Sequence, residues 1–260
     1  MIKKLLPYMR CPGCQGTQLH SGAAGISCRT CGAHFPLRDG ILDFLAGAPA
    51  EVITPFQRVM QMPAVVSIYE RAWRRLGYFL ASSRSFDHEI RTILRFCQGR
   101  AADRVLDLAC GTGVFTRPLA RASQGIVIGL DMSWPMLRRA QLLVARDRLD
   151  NVLLMRGSAF RLPFIAGAFH GVNCCGALHL FDNPGLALKE ISRVLHHAGR
   201  LSVQTTIRPE HSGGFAYLLE RFIRFGFFGE SELLERLRIQ GFKVTESERH
   251  RISFSFRAQR

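Results

Sequence analysis

The sequence predicts an α/β protein with a doubly wound, mainly parallel sheet, preceded by a small cysteine-rich module and closed by an antiparallel hairpin. Three observations lead to this class. From residue 104 to residue 206, short apolar segments alternate with helical segments, as in strands joined by crossover helices. Two Cys-x2-Cys pairs lie within the first 31 residues. The chain ends in two strand-like segments, 242–250 and 251–260, joined by a very short turn.

The N-terminal cysteines have the spacing C-x2-C-x13-C-x2-C. Each pair offers two thiolates to a tetrahedral zinc ion, and four thiolates leave no open position, which predicts a structural zinc ribbon over residues 1–45. About forty residues bury too little apolar surface to fold unaided, so a bound metal would supply stability. Two disulfides or a redox dithiol are the alternatives, and neither suits a cytoplasmic chain without a thioredoxin-like context. The predicted zinc ligands are Cys11, Cys14, Cys28 and Cys31.

Residues 46–84 are predicted to form a linker that becomes a helical lid. Three prolines mark this segment, and residues 65–80 have the pattern of an amphipathic helix rich in arginine and aromatic side chains. Tyr69 and Trp73 lie one turn apart on that helix. They would either cover a bound ligand or simply pack the helix on the sheet.

The main domain is predicted to cover residues 85–260. It opens with a helix at residues 85–97, on which Phe86, Ile90, Ile93, Leu94 and Cys97 share one face. Helices are also expected after Gly113, from Ser133 onward and over residues 183–195. Strands are expected at residues 104–109, 125–131, 152–156, 171–176 and 200–206.

Size and charge narrow the functional classes. The chain has 260 residues and no apolar run that could span a bilayer, and its N-terminal apolar stretch is too short for a signal peptide. We therefore expect a cytoplasmic protein. The net charge of +15 suggests nucleic acid, an anionic membrane or an acidic substrate as a partner. Nearly all of this charge is scattered arginine, so coding bias is the simpler explanation.

The stretch VLDLACGTGVF, residues 105–115, predicts a buried strand that runs into a glycine turn. A dinucleotide site would carry a third glycine where Thr116 stands, and a phosphate-binding P-loop would end in Gly-Lys-Ser/Thr. The turn thus suits a nucleoside-like ligand that brings no pyrophosphate. Asp107, near the strand end, would accept a hydrogen bond from an ammonium group or a backbone N–H, or would cap the following turn.

The next predicted strand ends in Asp131, 24 residues after Asp107. An acidic residue at this place can accept hydrogen bonds from both ribose hydroxyls of a ligand at the glycine turn. The alternative is a helix N-cap role shared with Ser133. We favour the ribose, because a buried strand rarely ends in an isolated carboxylate.

Four stretches of the sequence resemble the class I S-adenosylmethionine-dependent methyltransferases, which have a Rossmann-like fold. They are VLDLACGTGVF, GLDMSWPML, GSAFRLPF and EISRVLHHAGRLSV. The similarity covers residues 86–260. With the ribbon, the chain is similar to zinc-ribbon methyltransferases of bacteria and plant plastids, and to zinc-ribbon enzymes that methylate guanine in ribosomal RNA. In the family an aspartate contacts the adenine amino group where this chain has Ser158, whose hydroxyl accepts more weakly.

The resemblance assigns roles to individual residues. Asp107 and the loop 109–113 would hold the methionine part of the cofactor, Asp131 the ribose, and Met132 the adenine, with Ala159 and Phe160 contacting the ring. The loop residues so assigned are Ala109, Cys110, Gly111 and Gly113.

His179, just beyond the predicted fourth strand, is the candidate base or substrate-orienting group. The alternative is a loop histidine with no catalytic role. Asn173 stands where family members often have aspartate, and the Pro-Pro-Tyr type signature of DNA amino-group methylases is absent.

The leading functional hypothesis is methyl transfer by in-line displacement to a small, apolar or aromatic metabolite. Residues 212–229 would form an apolar acceptor pocket, a membrane-surface helix or a core helix. One alternative is methylation of ribosomal or transfer RNA, with the ribbon binding the RNA. Another is a non-catalytic adaptor with a vestigial cofactor site. No feature of the sequence indicates the oligomeric state.

Overall fold

The computed structural model describes residues 1–48, 55–69, 74–97, 103–208 and 227–260. The helices are α1 Ile2–Leu5, α2 Pro55–Met60, α3 Pro63–Ile68, α4 Arg74–Ser82, α5 Phe86–Cys97, α6 Thr116–Arg121, α7 Trp134–Arg146, α8 Pro184–Val194 and α9 Glu230–Ile239. The strands are β1 Leu19–Gly22, β2 Gly25–Cys28, β3 His34–Arg38, β4 Ile41–Asp43, β5 Val105–Leu108, β6 Val127–Asp131, β7 Val152–Arg156, β8 Phe169–Cys175, β9 Leu195–Thr206, β10 Lys243–His250 and β11 Ser253–Gln259.

The strands form one sheet in the order β1-β2-β3-β4-β7-β6-β5-β8-β9-β11-β10. Strands β7, β6, β5, β8 and β9 run parallel, and the chain order reverses at β5. The C-terminal hairpin β10–β11 joins β9 in antiparallel pairing. This confirms the predicted doubly wound sheet with an appended hairpin. The reversal at β5 creates a crevice at the carboxyl ends of β5 and its neighbours, where open α/β sheets bind ligands.

The cysteine ribbon, residues 1–45, continues this sheet. Its last strand β4 pairs in parallel with β7, and Asp43 forms an ion pair with Arg156 at 3.3 Å. The buried rings of Phe35 and Phe44, 4.8 Å apart, belong to the same apolar core as Phe164 of the main domain. The ribbon therefore shares both a strand ladder and a core with the main domain, a connection that no sequence pattern predicted.

Helix α5 packs on the sheet against β8, β9 and β11, and its buried face differs from the one that the sequence predicts. Phe86, Ile93 and Cys97 are buried as predicted, but Glu89 and Thr92 are buried with them. The helix is amphipathic, and its buried face includes these two polar residues because each has a partner on a neighbouring element. Glu89 pairs with Arg74 of α4, and Thr92 bonds to Glu248 of β10.

Two expectations fall partly outside the described residues. The predicted helix at residues 65–80 corresponds to α3 and α4, with 70–73 not described, so Trp73 and its proposed pairing with Tyr69 lie outside. The apolar segment at 212–226 lies outside as well. Among the described helices, none combines the length and apolar character needed to cross a bilayer.

Candidate functional site

The loop that follows β5, residues 109–113, turns sharply at the sheet's switch point. Ala109, Gly111 and Gly113 all have positive φ, at 55°, 54° and 79°. Such values are natural for glycine and uncommon for alanine. A Cβ on Gly111 would meet no atom within 4 Å, because this residue faces an open cavity. The turn thus leaves room at its surface for a ligand to approach the backbone.

Asp131 at the end of β6 holds this loop in place. Its Oδ2 accepts a hydrogen bond from the Gly111 N–H at 2.8 Å, and its Oδ1 accepts from the Ser133 N–H at 2.9 Å. Burial raises the pKa of this carboxyl, while the backbone donors act in the opposite direction. A carboxylate offers about four lone-pair sites, so two remain for hydroxyl groups of a ligand.

Asp107 lies beneath the loop and outside the cavity lining. It is 2% exposed; its Oδ2 accepts from Thr116 Oγ1 at 2.5 Å, and its Oδ1 accepts from Asn173 Nδ2 at 2.7 Å. Burial raises its pKa to about 6 despite these two donors. In this arrangement Asp107 ties β5 to α6 and β8, and Asn173 of β8 supplies one of the bonds.

The variant Asp107→Asn is expected to be more stable than the wild type near pH 7. Its amide can donate to Thr116 and its oxygen can accept from Asn173, so both hydrogen bonds survive without a buried charge. The pKa of Asp107 is higher in the folded than in the unfolded state. The free energy of unfolding of the wild type therefore falls as the pH rises from near 3.9, the unfolded pKa, to about 6, the folded pKa, by at most roughly 1.4 kcal/mol per pH unit.

Urea unfolding at several pH values measures this difference. The advantage of Asp107→Asn should grow between pH 4 and pH 6 and level off above. Asp150→Asn, at an exposed position, is the matched control. A difference that does not change with pH would contradict the role of buried charge.

The central cavity lies beside the loop and has a volume of about 280 Å³. Its lining comes from the carboxyl ends of the parallel strands, from Met60 at the end of α2, from Tyr69 just after α3, and from α4. Seven of the eleven residues that the sequence assigned to the cofactor or to catalysis line it, as does Tyr69 of the predicted lid. The seven are Ala109, Gly111, Asp131, Met132, Ala159, Phe160 and His179. The structure thus brings together residues that are up to 70 positions apart.

Four other singled-out residues stand behind this lining. Cys110 turns its thiol toward the core, where a Cβ on Gly129 would come within 3.1 Å of it. Gly113 supplies the turn before α6. Ser158 is 7% exposed and its hydroxyl accepts from the Phe160 N–H at 3.2 Å, so it shapes the loop after β7. Asp107 has the buried role described above.

One half of the cavity suits a nucleoside. Beside the carboxylate of Asp131 lie the apolar side chains of Met132 and Phe160, and the Phe160 ring meets the edge of Phe181 at 5.8 Å. A carboxylate next to flat apolar surface is the donor set that a ribose and a purine require. With the open space at Gly111, these residues fit S-adenosylmethionine.

The other half of the cavity holds a few polar groups that the sequence reading missed. Arg74 of α4 lines it, forms an ion pair with the fully buried carboxylate of Glu89, and donates to Gln204 Oε1 at 3.4 Å. Burial raises the pKa of Glu89 above its usual range, although Arg74 acts against this. In the sequence, Glu89 beside the apolar face of the predicted helix and the arginine-rich pattern of residues 65–80 were the available indications of this pair.

His179 lies in this second half. It is 8% exposed, and its Nδ1 is 3.2 Å from Thr205 Oγ1. Burial, followed by the positive charge of Arg74, lowers the pKa of His179 to about 3. The imidazole is therefore neutral at physiological pH, and it is a weak proton acceptor.

The four ribbon cysteines converge at the far end of the sheet. Cys11 Sγ lies 3.6 Å from Cys31 Sγ, Cys14 Sγ lies 3.6 Å from Cys28 Sγ, and all four sulfurs lie within 4.8 Å of one another. A Zn–S bond of about 2.3 Å places tetrahedral thiolates about 3.8 Å apart. The geometry suits a tetrahedral metal ion and exceeds the S–S bond of about 2.05 Å of a disulfide.

Comparisons with known proteins agree with this geometry. The family described as a methyltransferase domain matches residues 105–199. The sheet, the glycine loop and this match over residues 105–199 agree with the class I S-adenosylmethionine-dependent methyltransferase fold that the sequence motifs predicted.

Two curated relatives and one solved structure illustrate what the chain is similar to. An uncharacterized chloroplastic methyltransferase from Arabidopsis thaliana is 28% identical over 76% of this chain and 61% of its own length. The demethylmenaquinone methyltransferase of Lactiplantibacillus plantarum is 44% identical over 41% of this chain and 46% of its own length. The chain thus spans less than two thirds of these relatives. A methyltransferase structure from Aquifex aeolicus shares the fold, with a TM-score of 0.59 and 18% identity over 76% of this chain and 97% of that one.

Proposed function

We propose that this protein transfers a methyl group from S-adenosylmethionine to a small, mainly apolar or aromatic acceptor. The observation that carries the proposal is the central cavity, in which a carboxylate-and-glycine half adjoins a half with few polar groups. When bound, the cofactor supplies an electrophilic methyl group on its sulfonium. The protein's contribution to such a displacement is mainly alignment of the two reactants.

Cofactor binding is assigned to the glycine loop and Asp131. The open face of Gly111 would border the methionine part, Asp131 would accept from the ribose hydroxyls, and Met132 and Phe160 would contact the adenine. Ser158 would act through its hydrogen bond to the Phe160 N–H. Asp107, with both oxygens already bonded, would act by holding the loop from below.

The acceptor is assigned to the half of the cavity between α4 and the ends of β8 and β9. Tyr69, Tyr78 and Leu180 give it apolar walls, and Arg74 and Gln204 provide polar contacts. A flat, largely apolar molecule with one or two oxygens fits this lining. The named substrate of the Lactiplantibacillus plantarum relative, demethylmenaquinone, is a molecule of that class and supports the proposal.

His179 is proposed to orient the acceptor by a hydrogen bond. With its pKa lowered to about 3, it stays neutral at pH 7 and would remove a proton poorly. Its contact with Thr205 and its place in the lining fix the ring beside the acceptor.

The variant His179→Ala is expected to lower kcat/KM by roughly ten- to a hundredfold, the effect of losing one well-placed hydrogen bond. The assay uses S-adenosylmethionine with a reduced naphthoquinone as acceptor, and calorimetry checks that cofactor affinity is unchanged. His197→Ala, at an exposed position, is the control. His179 should also add no inflection near pH 6.5 to the rate profile. Full activity of the alanine variant would remove His179 from the mechanism.

Calorimetry and salt dependence separate the remaining alternatives. A vestigial site would give no heat with S-adenosylmethionine, which would reject the proposed activity. If RNA is the acceptor, its binding should weaken steeply with rising salt, whereas binding of a small apolar acceptor should not.

The cysteine ribbon is proposed to bind one structural zinc ion through Cys11, Cys14, Cys28 and Cys31. Zinc would complete a module of residues 1–45 that is joined to the methyltransferase domain at residues 85–260 by the linker and helices of 46–84. The sulfur separations support this assignment, and the shared core with β7 gives the metal a role in the stability of the whole sheet.

A further inference from the structure

A second group of metal-ligating side chains lies where helix α5 faces the C-terminal hairpin, away from the ribbon. On α5, His88, Thr92 and Arg95 lie at positions i, i+4 and i+7 and so share one face. On β10, Glu248 and His250 lie two residues apart and point to one side of the strand. These two faces meet across the packing of α5 on the hairpin.

The ligand atoms converge at this contact. Glu248 Oε2 lies 3.3 Å from His88 Nε2 and 3.7 Å from His250 Nε2, and the three groups offer ligand atoms within 4.8 Å of one another. Zinc bonds of about 2.0–2.2 Å to nitrogen and oxygen place tetrahedral ligands about 3.4 Å apart. The two nitrogen–oxygen distances, 3.3 and 3.7 Å, are therefore close to the spacing that a zinc ion requires.

The buried nitrogen of His88 is a further feature of this group. Its Nε2 atom is shielded from solvent and, apart from the ion-pair contact with Glu248, has no hydrogen-bond partner within the described parts of the chain. The side chains of His88, Glu248 and His250 remain 30%, 23% and 24% exposed. An ion from solution could therefore reach the group, and a water molecule could occupy a fourth position.

Two neighbouring side chains on α5 hold the carboxylate of Glu248 in place. Thr92 Oγ1 donates to its Oε2 at 3.2 Å, and Arg95 pairs with its Oε1. Arg95 also pairs with Glu246 at 3.1 Å. Glu246 also lies opposite Arg257 in the register of β10 and β11, so the two carboxylates face two guanidinium groups.

We propose that His88, Glu248 and His250 form a second divalent-cation site, suited to zinc, with one open position for water. The ion would fasten α5 to the edge of the sheet. Glu89, the next residue on α5, pairs with Arg74 at the central cavity, so this anchor also steadies one wall of the acceptor half. Thr92 would act as a positioning residue for the carboxylate.

The test uses the full chain, stripped of metal by a chelator and then titrated with Zn²⁺. Metal analysis by mass spectrometry should find one equivalent more in the wild type than in His88→Ala or His250→Ala. The affinity for this equivalent should fall at least about tenfold in each variant, and less in Thr92→Val. His20→Ala, at an exposed position, should bind like the wild type.

Cobalt substitution distinguishes this site from the ribbon. Only cysteine-bound Co²⁺ gives intense thiolate charge-transfer absorption, so the histidine variants should keep that band and lose only weak ligand-field intensity. Circular dichroism checks that each variant is folded. His88→Gln, which keeps a polar side chain of similar size, is the second variant in case His88→Ala does not fold. The proposal is overturned if the wild type binds no ion beyond the cysteine-bound one, or if the double variant His88→Ala/His250→Ala retains the extra equivalent.

Discussion

Replacement of Asp131 by alanine is expected to weaken binding of S-adenosylmethionine or S-adenosylhomocysteine by at least about a hundredfold. The variant loses the proposed bonds to the ribose, and it also loses the carboxylate that orders the Gly111 and Ser133 N–H groups. Hydrogen bonds to a charged group contribute about 1.5–3 kcal/mol each, and two of them account for a hundredfold change.

Calorimetric titration with S-adenosylhomocysteine measures this effect without requiring the acceptor. Asp150→Ala is the matched control, because it removes an exposed carboxylate and leaves the cavity intact. Thermal unfolding of both variants shows whether the loop alone or the whole domain has changed. If Asp131→Ala binds within about threefold of the wild type, the assignment of the ribose to this strand end is wrong.

Replacement of Cys28 by serine, or removal of zinc by a chelator, should cause the largest loss of stability. Structural zinc sites contribute about 10–16 kcal/mol of apparent binding energy in small domains, so the loss of one ligand should cost at least about 3 kcal/mol. For a chain of this size that corresponds to a fall in Tm of roughly 6–12 °C.

The loss should extend beyond the ribbon. Strand β4 pairs with β7, and Cys28 packs in the core that contains Phe164. Hydrogen exchange should therefore show faster exchange in both strands of this pair. Ser27→Ala is the control, since Ser27 is the neighbour of Cys28 on β2 and bonds to the exposed His34. A Cys28→Ser protein that keeps its zinc and its Tm would contradict the structural role of the metal.

One side chain at the end of β7 connects the ribbon to the central cavity. Arg156 at the end of β7 pairs with Asp43 of the ribbon and donates from its Nε to the Met132 carbonyl at 3.0 Å. Met132 lines the cofactor half of the cavity. The ribbon and the proposed adenine site are therefore linked through two contacts of Arg156.

The candidate site was only partly predictable. Asp131 and Gly111 could be placed because a carboxylate and a glycine turn at two adjacent strand ends must meet at one edge of the sheet. Cys110 and Ser158 belong to the same stretches, but the backbone turns their side chains into the protein. Whether a loop residue faces the ligand depends on its local φ and on what packs behind it, and neither is visible in a motif.

The sequence by itself determined the parallel sheet, the C-terminal hairpin, the glycine loop and the pairing of the cysteines into one cluster. Those features follow from short-range periodicity and spacing, which act within a few residues. The tertiary structure alone decided that β4 extends the main sheet, that Arg74 enters the cavity wall with Glu89 paired behind it, and that His88 meets Glu248 and His250. Such contacts join residues more than a hundred positions apart or on separate elements, and they arise only when whole faces are packed together.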